Sequence, residues 1–280
     1  MHASIKIATA TGAVGSDRAS ITPGANRRTA NAGPSILKAL DQTIRSRNPA
    51  TISVDLFDTI LLRGSEPQRL RWYGAARRAE ALLKAQEISA PATSILACRL
   101  TATRAAMSMT AVFGGPEDVT LNRIFTLMVE ALALPTHAAE SLHQAEIAEE
   151  QSRLTPNTDL LQLLASHRLH RRIVITSDTN FGAPDLALLL NHTGTPFQFD
   201  TIRTSSDMGL TKQRGSLFPA LIKSESINES RILHIGDDEI ADVQMASRHG
   251  IAPFHLPRPR GQLLIRRARK YATKVIHGDR

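Results

Sequence analysis

From Thr155 onward, short apolar runs alternate with helical stretches, and that alternation is the strongest constraint on the fold. Pro156 and Thr158-Asp159 open a helix carrying Leu160, Leu161, Leu163 and Leu164. Strands are expected at Arg172–Thr176, Phe199–Arg203, Arg231–Ile235 and Ile251–Leu256, with helices at Ala183–Leu190, Gly215–Lys223 and Glu239–His249 between them. Strands separated by helices of this length form right-handed βαβ units and a parallel sheet. Further upstream, the β-branched residues Thr51, Ile52 and Val54 lead straight into Asp55, which reads as one more buried strand. The fold class is therefore α/β, a Rossmann-like parallel sheet flanked by helices.

In such a sheet the carboxyl ends of the strands share one edge, where open α/β folds place ligands. The first strand delivers Asp55 there, the second Ser177 and Asp178, and the fourth Asp237, with Asp242 five residues on. Lys212 lies in the loop G-L-T-K-Q-R-G, just before a helix. A hydroxyl, a lysine and several carboxylates on one edge suit phosphate held beside a divalent cation. Oxygen ligands are what Mg²⁺ prefers, and lysine serves phosphate as a point charge. Each residue also has a simpler reading. Asp55 and Asp58 fit an acidic strand-to-loop turn, and Ser177-Asp178 fits a helix cap. Lys212 alone reads as an exposed lysine, and Asp237-Asp238-Glu239 as first-turn acids facing a helix dipole.

Residues 65–155 carry no competing strand signal, so they read as an all-helical insertion after the first strand. Arg69–Gln86 is helical, and Leu121, Ile124, Phe125, Met128 and Leu132 fit one helical stripe. Gly114-Gly115-Pro116 separates the helices, and His137–Gln151 ends in Glu146, Glu149 and Glu150. Those glutamates share helical spacing and read as a solvated face rather than a metal cluster. Trp72 and Tyr73 read as packing within the insertion, with lining of a substrate pocket as the sharper alternative. His234 reads as a packed core residue, and the ten histidines lack the spacing of a zinc site.

The net charge of +8 sits at the ends. Residues 1–50 hold seven Lys/Arg against two Asp, and 257–280 hold eight against one, while 51–256 hold 19 against 23 acids. The expected organisation is a flexible basic extension over 1–48, an α/β core over 49–64 and 156–256, the helical insertion over 65–155, and a basic tail over 257–280. Within the extension, Ser35–Arg45 reads as a short helix. The run Gln262–Val275 suits a basic amphipathic helix, and basic ends attract an anionic partner. No apolar run reaches the roughly 18 residues of a transmembrane helix, and Cys98 has no partner for a disulfide. A cytoplasmic location is expected. No feature sets the oligomeric state.

Four segments now carry a resemblance: D-L-F-D-T at 55–59 followed by L-L-R, I-T-S-D at 175–178, G-L-T-K at 209–212 and I-G-D-D-E-I-A-D at 235–242. Their order and placement are similar to the haloacid dehalogenase-like (HAD) superfamily, in its D-x-F-D-T subset. The resemblance covers roughly 50–256 and implies a hydrolase, with a phosphatase or phosphotransferase acting on a small phosphorylated metabolite as the main expectation. It implies Asp55 as nucleophile and Ser177 as a hydrogen-bond donor to the phosphoryl oxygens, with Asp178 beside it in the phosphate-binding motif. Lys212 would neutralise the phosphoryl group, and Mg²⁺ would be held by Asp55, Asp237, Asp242 and the Phe57 carbonyl. The helical insertion resembles a C1 cap, which excludes water and selects substrate.

One position departs from the phosphatase pattern. The general-acid aspartate two residues after the nucleophile is Phe57 here, and the nearest acid, Asp58, comes one residue later and is kept with Asp55 and Lys212 among the candidate catalytic residues. In extended chain that shift turns the side chain to the other face. An aromatic at this position is also found in the haloacid dehalogenases, which keeps a dehalogenase-like hydrolase as an alternative. A weakly active or non-catalytic module recruited through its basic ends is the other.

Overall fold

A computed structural model describes residues 34–258 apart from positions 113 and 196. Residues 1–33 and the Gln262–Val275 helix lie outside the described residues. The chain begins with α1 (Pro34–Arg47) and β1 (Thr51–Val54), then β2 (Leu61–Leu62). Four helices follow: α2 (Gln68–Lys84), α3 (Ala92–Val112), α4 (Leu121–Ala131) and α5 (Ala138–Gln151). The chain returns through β3 (Thr155–Pro156), α6 (Thr158–His167), β4 (Arg172–Ser177), α7 (Ala183–His192) and β5 (Thr201–Thr204). It ends with α8 (Ser205–Met208), α9 (Leu217–Glu225), β6 (Ile232–Gly236), α10 (Met245–Arg248) and β7 (Ala252–His255).

The main sheet is parallel throughout, in the order β5-β4-β1-β6-β7. The first strand lies in the middle and successive strands add outward on either side, so the order reverses at β1. That reversal opens the crevice in which doubly wound sheets bind ligands. Residue parity decides which face each side chain covers. Ile52, Ile173, Ile175, Leu233 and Ile235 join the large core, which continues into the insertion through Leu83, Ile95, Phe125 and Leu142. Val174 and Ile232 face a smaller cluster with Phe218, Leu221 and Ile251.

The insertion leaves and rejoins the sheet through a two-stranded antiparallel ribbon pairing Leu61 with Pro156 and Leu62 with Thr155. Within it, α2 and α5 meet closely at Gly74, where an added Cβ would lie 2.0 Å from Glu149 Oε1. The glutamates of α5 are not a solvated face. Glu146, Glu149 and Glu150 are buried, each paired with arginines: Arg99 with Glu146 (2.8 Å), Arg78 and Arg153 with Glu149 (2.7 and 2.5 Å), and Arg63 and Arg71 with Glu150 (3.0 and 3.1 Å). Burying these carboxylates is costly unless each finds a cation and hydrogen bonds, and arginine's planar fork supplies both.

Two boundaries differ from expectation. Residues 34–47, expected within a flexible extension, form α1, which packs Leu40 and Ile44 fully into the core, and His167 Nε2 lies 2.7 Å from Asp41. The helix expected over Glu239–His249 instead opens as a π-helical turn, Glu239–Gln244, before α10. Asp238 caps that turn by accepting from the amides of Ile240 and Ala241, while Asp242 accepts from the Asp238 amide at 3.0 Å.

Candidate active site

The carboxyl ends of β1, β4 and β6 bring together residues far apart in the chain. Lys212 Nζ lies 2.6 Å from Asp55 Oδ1 and 2.6 Å from Asp242 Oδ1. Asp55, Asp237 and Asp242 each offer an oxygen within 4.8 Å of the others. Gly236 makes the approach possible: a Cβ there would stand 2.2 Å from the Asp242 carboxyl carbon. The loop bearing Lys212 is fixed by Asp178, whose two oxygens accept the amides of Lys212 (2.7 Å) and Gln213 (2.9 Å). Asp178, expected in the phosphate-binding motif, thus has its acceptors occupied by the backbone of the Lys212 loop. Ser177 stands differently. Its hydroxyl is buried at the end of β4 with no hydrogen-bond partner.

Lys212 serves Asp55 and Asp242 and Arg258 serves Asp237, so three carboxylates meet two cations and the local charge is short of cation. Burial, reinforced by Asp242 and Asp237 and only partly offset by Lys212, pushes Asp55 up to about 7. Burial likewise raises Asp237 to about 6, against the pull of Arg258. Burial acts on Asp242 too but is outweighed by Lys212 and His234, leaving it below the carboxylate range. Lys212 itself is held protonated, because Asp242, Asp55 and Asp178 outweigh the cost of burying it. An oxygen-rich cluster short of positive charge fits Mg²⁺.

Sequence comparison bears on what this constellation is. The model of the haloacid dehalogenase-like hydrolases matches residues 49–250. The chain belongs to that family. No curated protein matches the sequence. Among solved structures, this HAD-like hydrolase is similar to a 2-haloacid dehalogenase from Pseudomonas syringae pv. Tomato DC3000, at 16% identity and a TM-score of 0.52, covering 73% of this chain and 85% of that one. An L-2-haloacid dehalogenase shares 17% identity at a TM-score of 0.50, covering 76% and 87%. An HAD family enzyme from Bacteroides thetaiotaomicron shares 15% identity at a TM-score of 0.49, covering 74% and 93%. At these identities the likeness is one of fold.

The remaining expected residues fall around the HAD nucleophile position in unexpected company. Phe57 is buried, with the Arg63 guanidinium 3.5 Å above its ring and Phe181 6.1 Å away. Asp58 adopts a left-handed φ of 65°, and its carboxylate meets Arg258 at 2.8 Å and the Arg63 amide at 3.1 Å. The carboxylate of Asp58, expected among the catalytic groups, holds the turn and Arg258. Arg258 also pairs with Asp237 at 2.5 Å. The expected basic tail therefore starts inside the site, which nothing in the sequence around Arg258 marks.

Beneath Asp55 runs a buried polar chain. Ser53 Oγ lies 2.8 Å from Thr176 Oγ1 and 2.8 Å from His234 Nδ1, and His234 Nε2 lies 3.0 Å from Asp242 Oδ1. Burial lowers the His234 pKa, so the ring is held neutral and its Nε2 proton faces the carboxylate. His234 is a core residue as expected, and it orients Asp242. The parity of Ser53, Thr176 and His234 on adjacent strands is the signal that locates this chain in the sequence.

Above the site lies a cavity of about 350 Å³ between the sheet edge and the insertion. Asp178, Thr179, Phe181 and Thr211 line its floor, and Arg63, Arg71, Trp72 and Arg99 line it from the insertion. Trp72 thus belongs to the pocket, whereas Tyr73 lines a separate hollow with Leu96 and Leu100.

Proposed function

We propose that this HAD-like hydrolase is a Mg²⁺-dependent phosphatase or phosphotransferase acting on a small phosphorylated metabolite. The observation that carries this reading is Lys212 joined to both Asp55 and Asp242 beside the three-carboxylate cluster. Asp55, Asp237 and Asp242, with the Phe57 carbonyl, are the groups that would hold Mg²⁺. When bound, the cation would offset the charge that gathers on the phosphoryl oxygens.

The chain's own residues account for the rest. A carboxylate oxygen of Asp55 attacks phosphorus, the bond to the leaving oxygen breaks, and an aspartyl-phosphate forms. Lys212 fixes Asp55 and neutralises the incoming phosphate, and the unpartnered Ser177 hydroxyl donates to a phosphoryl oxygen. Water then releases phosphate, or an acceptor hydroxyl takes the phosphoryl group. The leaving oxygen has no acid at position 57, so esters with weakly basic leaving groups should react fastest. A positioned acid is worth roughly 10²–10⁴ in rate.

A dehalogenase-like displacement at carbon is the second reading, supported by the aromatic pair Phe57 and Phe181 beside the nucleophile. Retained metal-site acids weigh against it. Release of phosphate from an aryl phosphate with Mg²⁺, lost in Asp55→Asn, tests the first reading. Chloride release from a 2-chloroacid without Mg²⁺, and no phosphate release, would replace it with the second. A cytoplasmic location is part of the same proposal and rests on the single cysteine.

A further inference from the structure

We infer that the substrate carries a second oxyanion, a carboxylate or another phosphate, held by Arg71 at the insertion end of the cavity. This rests on the phosphoryl-transfer reading of the same site and adds what lies beyond the reacting phosphorus.

The argument starts from donors and acceptors. Arg63, Arg71 and Arg99 line the cavity, and the acids from the same end are only Glu146 and Glu150. Glu146 accepts two bonds from Arg99, at 3.0 and 2.8 Å. Glu150 accepts one from Arg63 at 3.0 Å and one from Arg71 at 3.1 Å. That leaves three guanidinium groups against two carboxylates. The surplus has an address: Arg71 is 6% exposed, and its Nε has no hydrogen-bond partner. A buried, unpartnered donor on a cation is costly, and an oxyanion matches the planar fork of arginine.

The acids at the opposite end are held by neutral donors and keep their charge, so within the cavity an oxyanion is directed toward the arginine end. Glu117 is bound to Thr211 and Ser216, Asp118 to Asn180 and Ser205, and Asp178 to the Lys212 and Gln213 amides. The cavity thus has a floor whose acceptors are taken and a far wall on which one buried donor, Arg71 Nε, is not. Burial and the neighbouring Arg63 also pull Arg71 down to about 10, against the opposing pull of Glu150, which agrees with crowding of like charge. Trp72 forms a flat side wall, with the Arg99 guanidinium 4.8 Å over its ring. A small, doubly anionic molecule suits this arrangement: second oxyanion at Arg71, and phosphoryl group at Lys212 and Ser177, whose chain neighbours Thr211 and Asp178 line the other end of the cavity.

Calorimetry on the full chain with Mg²⁺ tests this, using methylphosphonate, phosphonoacetate and methylenediphosphonate as probes. At least one of the two-anion probes should bind ten-fold or more tighter than methylphosphonate, and which one does so separates carboxylate from phosphate. The advantage should fall below three-fold in Arg71→Met. Arg71→Lys keeps a cation against Glu150 but removes the Nε proton, and should halve the advantage or more at an unchanged melting temperature. It decides the matter if Arg71→Met does not fold. Equal binding of all three probes by wild type, or an advantage that survives in both variants, overturns the proposal. Failure to hydrolyse any phosphomonoester, with the Arg71-dependent advantage intact, would sink the hydrolase reading and leave this one standing.

Discussion

Glu117 and Thr211 meet across the boundary between the helical insertion and the sheet: Glu117 Oε2 accepts the Thr211 amide at 3.0 Å and its hydroxyl at 2.9 Å. Thr211 directly precedes Lys212, so a residue of the α3–α4 loop fixes the loop that bears the site's cation. Glu117→Ala removes an ionised acceptor from three donors, the Thr211 amide and hydroxyl and the Ser216 hydroxyl, and should cost about 1.5–3 kcal/mol of stability. Turnover should fall further than stability alone explains, with kcat reduced more than KM rises. Kinetics at 10 °C, where the variant remains folded, check this.

Breaking the buried pairing of the α5 glutamates should be severe. Glu146→Gln leaves the buried Arg99 guanidinium without its two-point carboxylate partner. Loss of one member of a buried ion pair costs roughly 3–5 kcal/mol. Denaturant unfolding should therefore show a large drop in midpoint. A change within about 0.5 kcal/mol, the size expected of a surface substitution, would mean these glutamates face solvent.

The contact between α5 and α7 should respond to pH. His143 Nε2 lies 2.9 Å from Asp185 Oδ1. The hydrogen bond to Asp185 raises His143 above its ordinary 6.5. Burial pushes Asp185 up, but the bond from His143 outweighs it and the carboxyl ends below its ordinary 3.8. The histidine's contribution is complete below about pH 6.5 and is lost as pH rises through the elevated value. The aspartate's contribution is present above about pH 3.9 and is lost as pH falls through the depressed one. Partial exposure limits the pair to about 0.5–1 kcal/mol. Melting temperature should fall between pH 6 and pH 8.5 by more in wild type than in His143→Gln, and parallel curves would remove the pair from the account.

Phe57→Asp asks whether the missing acid limits turnover. The new carboxylate would sit where Arg63 now stacks, 3.5 Å over the ring centroid. Losing the buried ring should cost about 3–5 kcal/mol. If phosphoryl transfer is the reaction, hydrolysis of alkyl phosphates should rise ten-fold or more, while aryl phosphates change little. A fall for both classes would count against a leaving-group role at this position.

Magnesium should stabilise the fold as well as support turnover. Filling the Asp55, Asp237 and Asp242 cluster at 100 times the dissociation constant adds about 2.7 kcal/mol, seen as a rise in melting temperature. Asp237→Asn should abolish that rise. An unchanged rise in the variant would move the cation elsewhere.

The sheet was legible because buried parallel strands leave short continuous apolar runs, and Ile173–Ile175 and Ile232–Ile235 are interrupted only by His234. The convergence of Asp55, Ser177, Lys212, Asp237 and Asp242 followed from that order alone. Helix α3 was missed because its buried face is Ala92, Ile95, Arg99, Ala102 and Ala106, four small or apolar residues and one charge. The ion pairs were missed for a related reason: Glu146, Glu149 and Glu150 have the spacing of a solvated face, and their arginines lie on other segments. Arg258 entered the site from a run read as tail, since only the tertiary return of β7 brings it to Asp58 and Asp237.

The paired strands Leu61–Leu62 and Thr155–Pro156 set the chain's outgoing and incoming paths side by side. Everything from 63 to 154 therefore hangs from one narrow stem, and excising it would leave the order of the five-stranded sheet untouched. A lineage could exchange that appendage wholesale while the same sheet edge persists beneath.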